Sequence, residues 1–114
     1  GISDKRLELL LAVLQRHGTI NTDKYDIFVN VVGGLKISET ASDLSICLAI
    51  ASSIKGIALS STVAIAEVGL LGETKAVLNL DKRVKEAIKF GYKKVITVKE
   101  APFLKKALRM VISG

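Results

Sequence analysis

YDIFVNVVGGLKISETASDLSICLAIASSI, residues 25–54, is the stretch from which the fold is read. Its first eight residues are β-branched and aromatic, which predicts a strand over 25–32. Ile27, Val29 and Val31 share one face, with Phe28, Asn30 and Val32 on the other. Asn30 alone is polar on either face, so the strand is expected to be covered on both sides. Gly33-Gly34 then ends it. Residues 40–54, TASDLSICLAIASSI, predict a helix of small residues. Leu44, Cys47, Leu48 and Ala51 fall on one stripe, and Ala41, Ser42, Ser45, Ala49 and Ser52 let other backbones come close. Such a helix should be nearly buried, with Cys47 acting as a small core hydrophobe.

Working outward, residues 3–17 predict an amphipathic helix. Ser3 is a good N-cap, and Asp4 suits the positive end of the helix dipole. Leu7, Leu10, Leu11 and Leu14 recur at the spacing of one helical face. His17 and Gly18 close the helix, and His17 is read as a partner of the helix C-terminus rather than a ligand or base. Downstream, 62–68 alternates as a strand, and Gly69 and Gly72 flank a reversal into 73–77. Residues 79–90 predict a helix with Asn79 as N-cap, Gly91 as its stop, and Leu80, Val84, Ala87 and Ile88 as the apolar stripe. A strand over 93–98 follows. Pro102 suits the first turn of a final helix, in which Leu104, Leu108 and Val111 face inward. The order αβαββαβα makes an α/β domain, a mixed sheet with helices packed on it.

At 114 residues the chain is the length of one domain. Apolar residues make up 49% and charged residues 25%, which excludes a disordered or low-complexity chain. The uncharged runs 44–54 and 56–66 are shorter than the ~18–20 residues of a membrane helix. One cysteine and one histidine make neither a disulfide nor a zinc site. No secretory signal opens the chain, and a start at Gly1 rather than Met suggests a piece of something larger. The net charge of +6 is uneven. Residues 75–109 hold eleven bases and three acids, whereas the remainder is slightly acidic. That field favours a polyanion, most often nucleic acid. No aromatic residues are read as interleaving these bases, so the expected contact is with phosphates rather than stacked bases.

Motifs for chemistry are sparse. Gly33-Gly34 lacks the further glycine of a dinucleotide fingerprint, and no Walker loop, HExxH, CxxC or paired carboxylates occur. A Ser-His-Asp triad is disfavoured because the sole histidine sits on a distant helix end. Serines and lysines are abundant, which leaves a Ser-Lys dyad to be weighed.

VNVVGGLKISETASDLSICLAIASS (29–53), AEVGLLGETKAV (66–77) and LDKRVKEAIKFGYKKVI (80–96) occur in order with short spacings. Together they resemble the C-terminal Lon-protease-like domain of the RadA (Sms) family of bacterial DNA repair proteins. The resemblance covers essentially all of residues 1–114. It implies the α/β fold of that group, akin to a ribosomal-protein domain 2, with one left-handed crossover that departs from the usual rule. The peptide-cleaving members of the fold carry their serine in a Pro-Ser-Ala-Gly motif and their lysine in a later Gly-Gly-Leu-Lys-Glu-Lys-like stretch. Aligned by helix start, the first motif falls on Thr40-Ala41-Ser42-Asp43 and the second on Leu78-Asn79-Leu80-Asp81-Lys82-Arg83. The nucleophile position is then Ala41, without a hydroxyl, and the base position Arg83, which stays protonated. A register slip of one residue would bring in Ser42 and Lys82 instead.

The resemblance thus implies a domain that is not itself an enzyme. Its family is expected to be a cytoplasmic hexameric ATPase that moves on DNA and promotes branch migration. ATP, magnesium and zinc would belong to other domains, with no cofactor and no metal here. This domain would supply ring assembly and a basic surface for the DNA backbone, with recombination machinery of the RecA type as a further partner and no membrane. The candidate phosphate contacts are Lys82, Arg83, Lys85 and Lys89 on helix 79–90, Lys93 and Lys94 on the next strand, and Lys105, Lys106 and Arg109 on the last helix. Two other readings stand beside this one: a pure oligomerisation or partner-binding module, and a residual Ser-Lys peptidase. Competence helicases with a Lon-like domain share the SDLSICLAIAS flavour but fit less well around GGLKISE.

Overall fold

The computed structural model describes residues 3–22, 40–59 and 61–112. The predicted strand over 25–32 and the Gly33-Gly34 break lie outside the described residues. The elements in order are α1 (Asp4–His17), a 3-10 turn (Thr40–Ser42), α2 (Asp43–Lys55), β1 (Thr62–Ala64), β2 (Glu67–Val68), β3 (Thr74–Lys75), α3 (Leu80–Lys89), β4 (Lys94–Ile96) and α4 (Leu104–Val111).

The first helix starts as its sequence predicts: the Ser3 hydroxyl accepts the Arg6 amide at 3.1 Å. Its end differs. Gly18 keeps a right-handed backbone, and the left-handed residue is Thr19, with φ of 55°. Gly18 is required for space instead. A Cβ there would lie 2.7 Å from the Leu14 carbonyl and 2.8 Å from Leu108 Cδ1, so only glycine lets α4 pack this close.

Leu10, Leu14, Leu44, Cys47, Ile96 and Leu104 are fully buried and tie α1, α2, β4 and α4 into one core. The small-residue helix α2 sits at its centre, as its composition predicts. Burial, aided by the nearby Asp43 charge, pushes the Cys47 thiol up to about 12. Cys47 is accordingly a core hydrophobe.

The strand predicted over 62–68 is divided. Ile65 still donates to Ile96, but Ala66 turns away, donating to Ala41 and accepting from Leu44, both at 3.2 Å. One backbone residue is thereby diverted from the sheet into the start of α2. Consequently β1 pairs in parallel with β4 (Thr62 with Lys94, Ala64 with Ile96), while β2 and β3 form an antiparallel hairpin. Among the described residues there are two two-stranded sheets, one parallel and one antiparallel, rather than a single mixed sheet.

Asn79 is the N-cap of α3 as expected, though it makes no side-chain hydrogen bond and stands in the left-handed region, at φ of 59°. The expectation for Pro102 is corrected. Pro102 lies before α4 rather than in its first turn. The N-cap is Phe103, and the Pro102 carbonyl accepts the Thr74 amide at 2.9 Å. With Leu104 donating to Gly72 at 2.8 Å, the entry to α4 is stitched to the β2–β3 hairpin. That pairing outcompetes the helix for the Pro102 backbone.

Candidate nucleic-acid interface

The basic residues predicted to meet DNA are exposed, with one exception. Lys82, Lys85 and Lys89 recur at three- and four-residue spacing and stand in solvent on one face of α3, with the exposed Glu86 among them. Lys105, Lys106 and Arg109 are exposed on α4 and border a different cleft, which also includes His17 and the apolar Leu71 and Phe103. Lys82 and Lys85 border a cleft at the start of α3. The nine candidates are therefore distributed over two helices, the strand between them and Lys93 just before that strand.

Lys94 links the two groups: its ammonium donates to the Met110 carbonyl at 3.1 Å, at the negative end of α4. Lys93 is held through its backbone amide, which donates to both oxygens of Ser61. Arg83 is the exception to the open face. It is half-buried, and its Nε donates to the Leu78 carbonyl at 2.9 Å.

Arg83 and Ala41 line one cleft of about 410 Å³, together with Thr40, Glu67 and Leu78. The two positions at which the resemblance puts a catalytic dyad thus border the same cleft although 42 residues apart in the chain. The cleft offers an alanine methyl and a guanidinium there. The slipped pair, Ser42 and Lys82, is not among the residues lining it.

Two residues to which the sequence assigned no structural role, Arg6 and Asp43, hold the start of α2 to its neighbours. Asp43 is 2% exposed. Its carboxylate accepts the Arg6 Nε at 3.1 Å and an Arg6 Nη2–H, and it also accepts the Val68 amide at 3.0 Å. Arg6 in turn donates to the Val68 carbonyl at 3.3 Å. The Asp43 hydrogen bond raises the Arg6 pKa above its ordinary value, against an opposing desolvation effect. The arrangement joins α1, the start of α2 and β2 in one polar knot. An acidic residue opening a helix of small apolar residues was its only sequence signal; nothing pointed to Arg6.

The view that no aromatic residue interleaves the bases is also corrected. Phe90 is 81% exposed and Tyr92 is 43% exposed, between Lys89 and Lys93. Ile88, read as part of the apolar stripe of α3, is 60% exposed beside them. Ala87 alone of that stripe is fully covered, because α3 rests on β4 through a narrow contact.

Among the described residues, no three His, Cys, Asp or Glu side chains cluster in a way that could hold a metal ion, and no helix is long and apolar enough to cross a membrane.

No family model matches the chain. Among curated proteins, DNA repair protein RadA of Haemophilus influenzae is 47% identical over 97 residues, 84% of this chain and 21% of that protein. DNA repair protein RadA of Pseudomonas aeruginosa is 46% identical over 108 residues, 90% of this chain and 24% of its own length. The Escherichia coli protein of the same name is 44% identical over 97 residues. The chain is thus homologous to a segment that spans about a fifth of the length of these relatives.

Proposed function

We propose, from this homology to a segment of RadA, that the chain is the C-terminal Lon-protease-like domain of a RadA-type DNA repair protein, retained as a scaffold and not as a protease. It contributes to ring assembly and holds the DNA backbone without reading bases. The observation that carries the non-proteolytic part is the cleft shared by Ala41 and Arg83. Nucleophilic hydrolysis needs an oxygen or sulfur that can be deprotonated and a neighbour able to take the proton. A methyl group supplies no such atom, and a guanidinium keeps its proton throughout the working range.

The DNA part rests on the open lysine face of α3. Lys82, Lys85 and Lys89 present ammonium groups one turn apart, a spacing that suits phosphate neutralisation. The remaining functions of such a protein, an ATPase motor with its magnesium and a zinc module, would lie in other parts of the polypeptide. Self-association into a hexameric ring and engagement with RecA-type recombination machinery belong to the same proposal.

The test is the salt dependence of duplex binding. Charge reversal of Lys82, Lys85 and Lys89 together should weaken binding and reduce the slope of log K against log salt by about 1 per lysine. An unchanged slope makes these lysines bystanders and favours a pure oligomerisation or partner-binding module. For the peptidase reading, a serine-reactive fluorophosphonate should leave the chain unlabelled; stoichiometric labelling at Ser42 reinstates a hydrolase.

A further inference from the structure

α3 ends in a way that displays two aromatic rings on a fixed backbone. Phe90 is the C-cap, Gly91 follows at φ of 96°, and Tyr92 comes next. The Gly91 amide donates to the Ile88 carbonyl at 3.0 Å and the Tyr92 amide to the Ala87 carbonyl at 3.2 Å. This is the paired hydrogen bonding of a Schellman motif, which fixes the direction of the chain as it leaves the helix. A Cβ at Gly91 would meet nothing within 4 Å, so that side of the turn is open. Beyond it, Lys93 and Lys94 both donate their amides to the Ser61 carbonyl at 3.0 Å, and Ser61 Oγ bonds back to Gly91. The backbone from Glu86 to Lys94 is hydrogen-bonded at almost every step, yet the Phe90 ring lies mostly in water.

The surroundings narrow what could cover these rings. Between Lys82 and Lys99 the chain carries one acidic residue, Glu86, against seven bases, counting Lys82 and Lys99 themselves. Lys85 and Lys89 stand exposed on the preceding turns and Lys93 follows directly. A wholly apolar partner would strand those ammonium groups, and a plain polyanion would leave the rings in water. A ligand with alternating phosphates and flat apolar faces satisfies both. Duplex DNA hides its base faces within the stack, whereas a single strand presents them.

We propose that Phe90 and Tyr92, flanked by Lys89 and Lys93, form a base-stacking site for single-stranded DNA. It rests on the reading of the chain as a DNA-binding module, and adds a contact that phosphate neutralisation does not contain. The rings take base faces without regard to sequence, since every base has a π face. The lysines hold the phosphates on either side. Because the backbone is already ordered, little further freedom is lost when a base settles on a ring.

The experiment compares the 114-residue chain binding an oligothymidine strand and an abasic deoxyribose-phosphate strand of equal length, by anisotropy at low salt. The oligothymidine should bind at least about fivefold tighter. Phe90→Leu, which keeps an apolar side chain but removes the ring, should lower it towards the abasic level, with an unchanged melting temperature as the control for folding. Phe90→Trp introduces a lone tryptophan, since the chain has none, and its emission should be quenched by oligothymidine but not by duplex. Equal affinity for the two strands, or oligothymidine binding indifferent to Phe90→Leu combined with Tyr92→Leu, overturns the site. Tighter binding of oligouridine than oligothymidine overturns the assignment to DNA. Loss of self-association in Phe90→Leu with unaltered strand binding shows that the rings meet another copy of the chain instead, and overturns the site as well. Any of these outcomes can occur while the lysine-dependent duplex slope stands, so failure of the stacking site is separable from failure of the backbone-binding reading. Absence of binding to every strand and to duplex overturns both.

Discussion

At the start of α2 a carboxylate is buried and surrounded by donors, whereas along α3 the ammonium groups of Lys82, Lys85 and Lys89 stand in solvent. Both regions are dense in charge, but the charges do different work. Asp43 takes a guanidinium and a backbone amide, and by doing so joins three elements that are distant in sequence. Removing Arg6 would leave the Asp43 carboxylate charged in a dry place, whereas the Arg6 side chain itself is partly exposed. The α3 lysines join nothing of comparable extent, so the fold does not depend on them and they remain available to an outside polyanion. The contrast separates charge that maintains shape from charge that can be used.

Four measurements probe this contrast. The largest expected effect is Arg6→Ala, which strands the Asp43 carboxylate and should cost about 3–5 kcal/mol in urea denaturation. A cost below 1 kcal/mol, on the order of a surface ion pair, erases the distinction between the regions. Second is Cys47, buried beside the same carboxylate. Its folded pKa of about 12 lies above the ordinary 9.0, so the stability linked to the protonated thiol is complete below pH 9 and is lost as pH rises towards 12. A thiol reagent at pH 9 should therefore leave the folded chain unmodified and react on denaturation; reaction at the rate of a free thiol contradicts the burial. Third, Gly91→Ala forces a side chain into a left-handed turn and should cost about 1 kcal/mol, all of it local strain, since the added Cβ has open space. Smallest is Lys82→Ala with Lys85→Ala and Lys89→Ala, expected to change stability by less than about 0.5 kcal/mol per site. A large loss would show that this face is part of the framework after all.

Much of the helical framework was legible. The leucine spacing of α1, the Ser3 cap and the small-residue character of α2 each carry a local signal, and the observed elements match them. Alternation over 62–68 reports a local preference, while the break at Ala66 is made by hydrogen bonds to Ala41 and Leu44, more than twenty residues away. Pro102 differs from its local expectation for the same reason, its carbonyl being drawn to the hairpin. For the site, the basic character of α3 and α4 was plain in composition. The exposure of Phe90 was not, because an aromatic residue at a helix end is as compatible with a covered position as with an open one. The ion pair of Arg6 and Asp43 joins positions 37 residues apart, which no local pattern encodes.

Spacing and chemistry along the chain were sufficient to determine which segments would coil and which residues would be charged in the last third, and the family resemblance marked Ala41 and Arg83 as the positions where a Ser-Lys dyad would stand. Only the folded chain decided that those two positions share a cleft, that the charged residues divide into a buried knot and an open face, and that two rings stand among the lysines. Side-chain chemistry and helical period are properties of neighbours in sequence. Burial, pairing and shared clefts are properties of neighbours in space, and they arise when the core of α1, α2 and α4 closes and leaves each remaining group either partnered or in water.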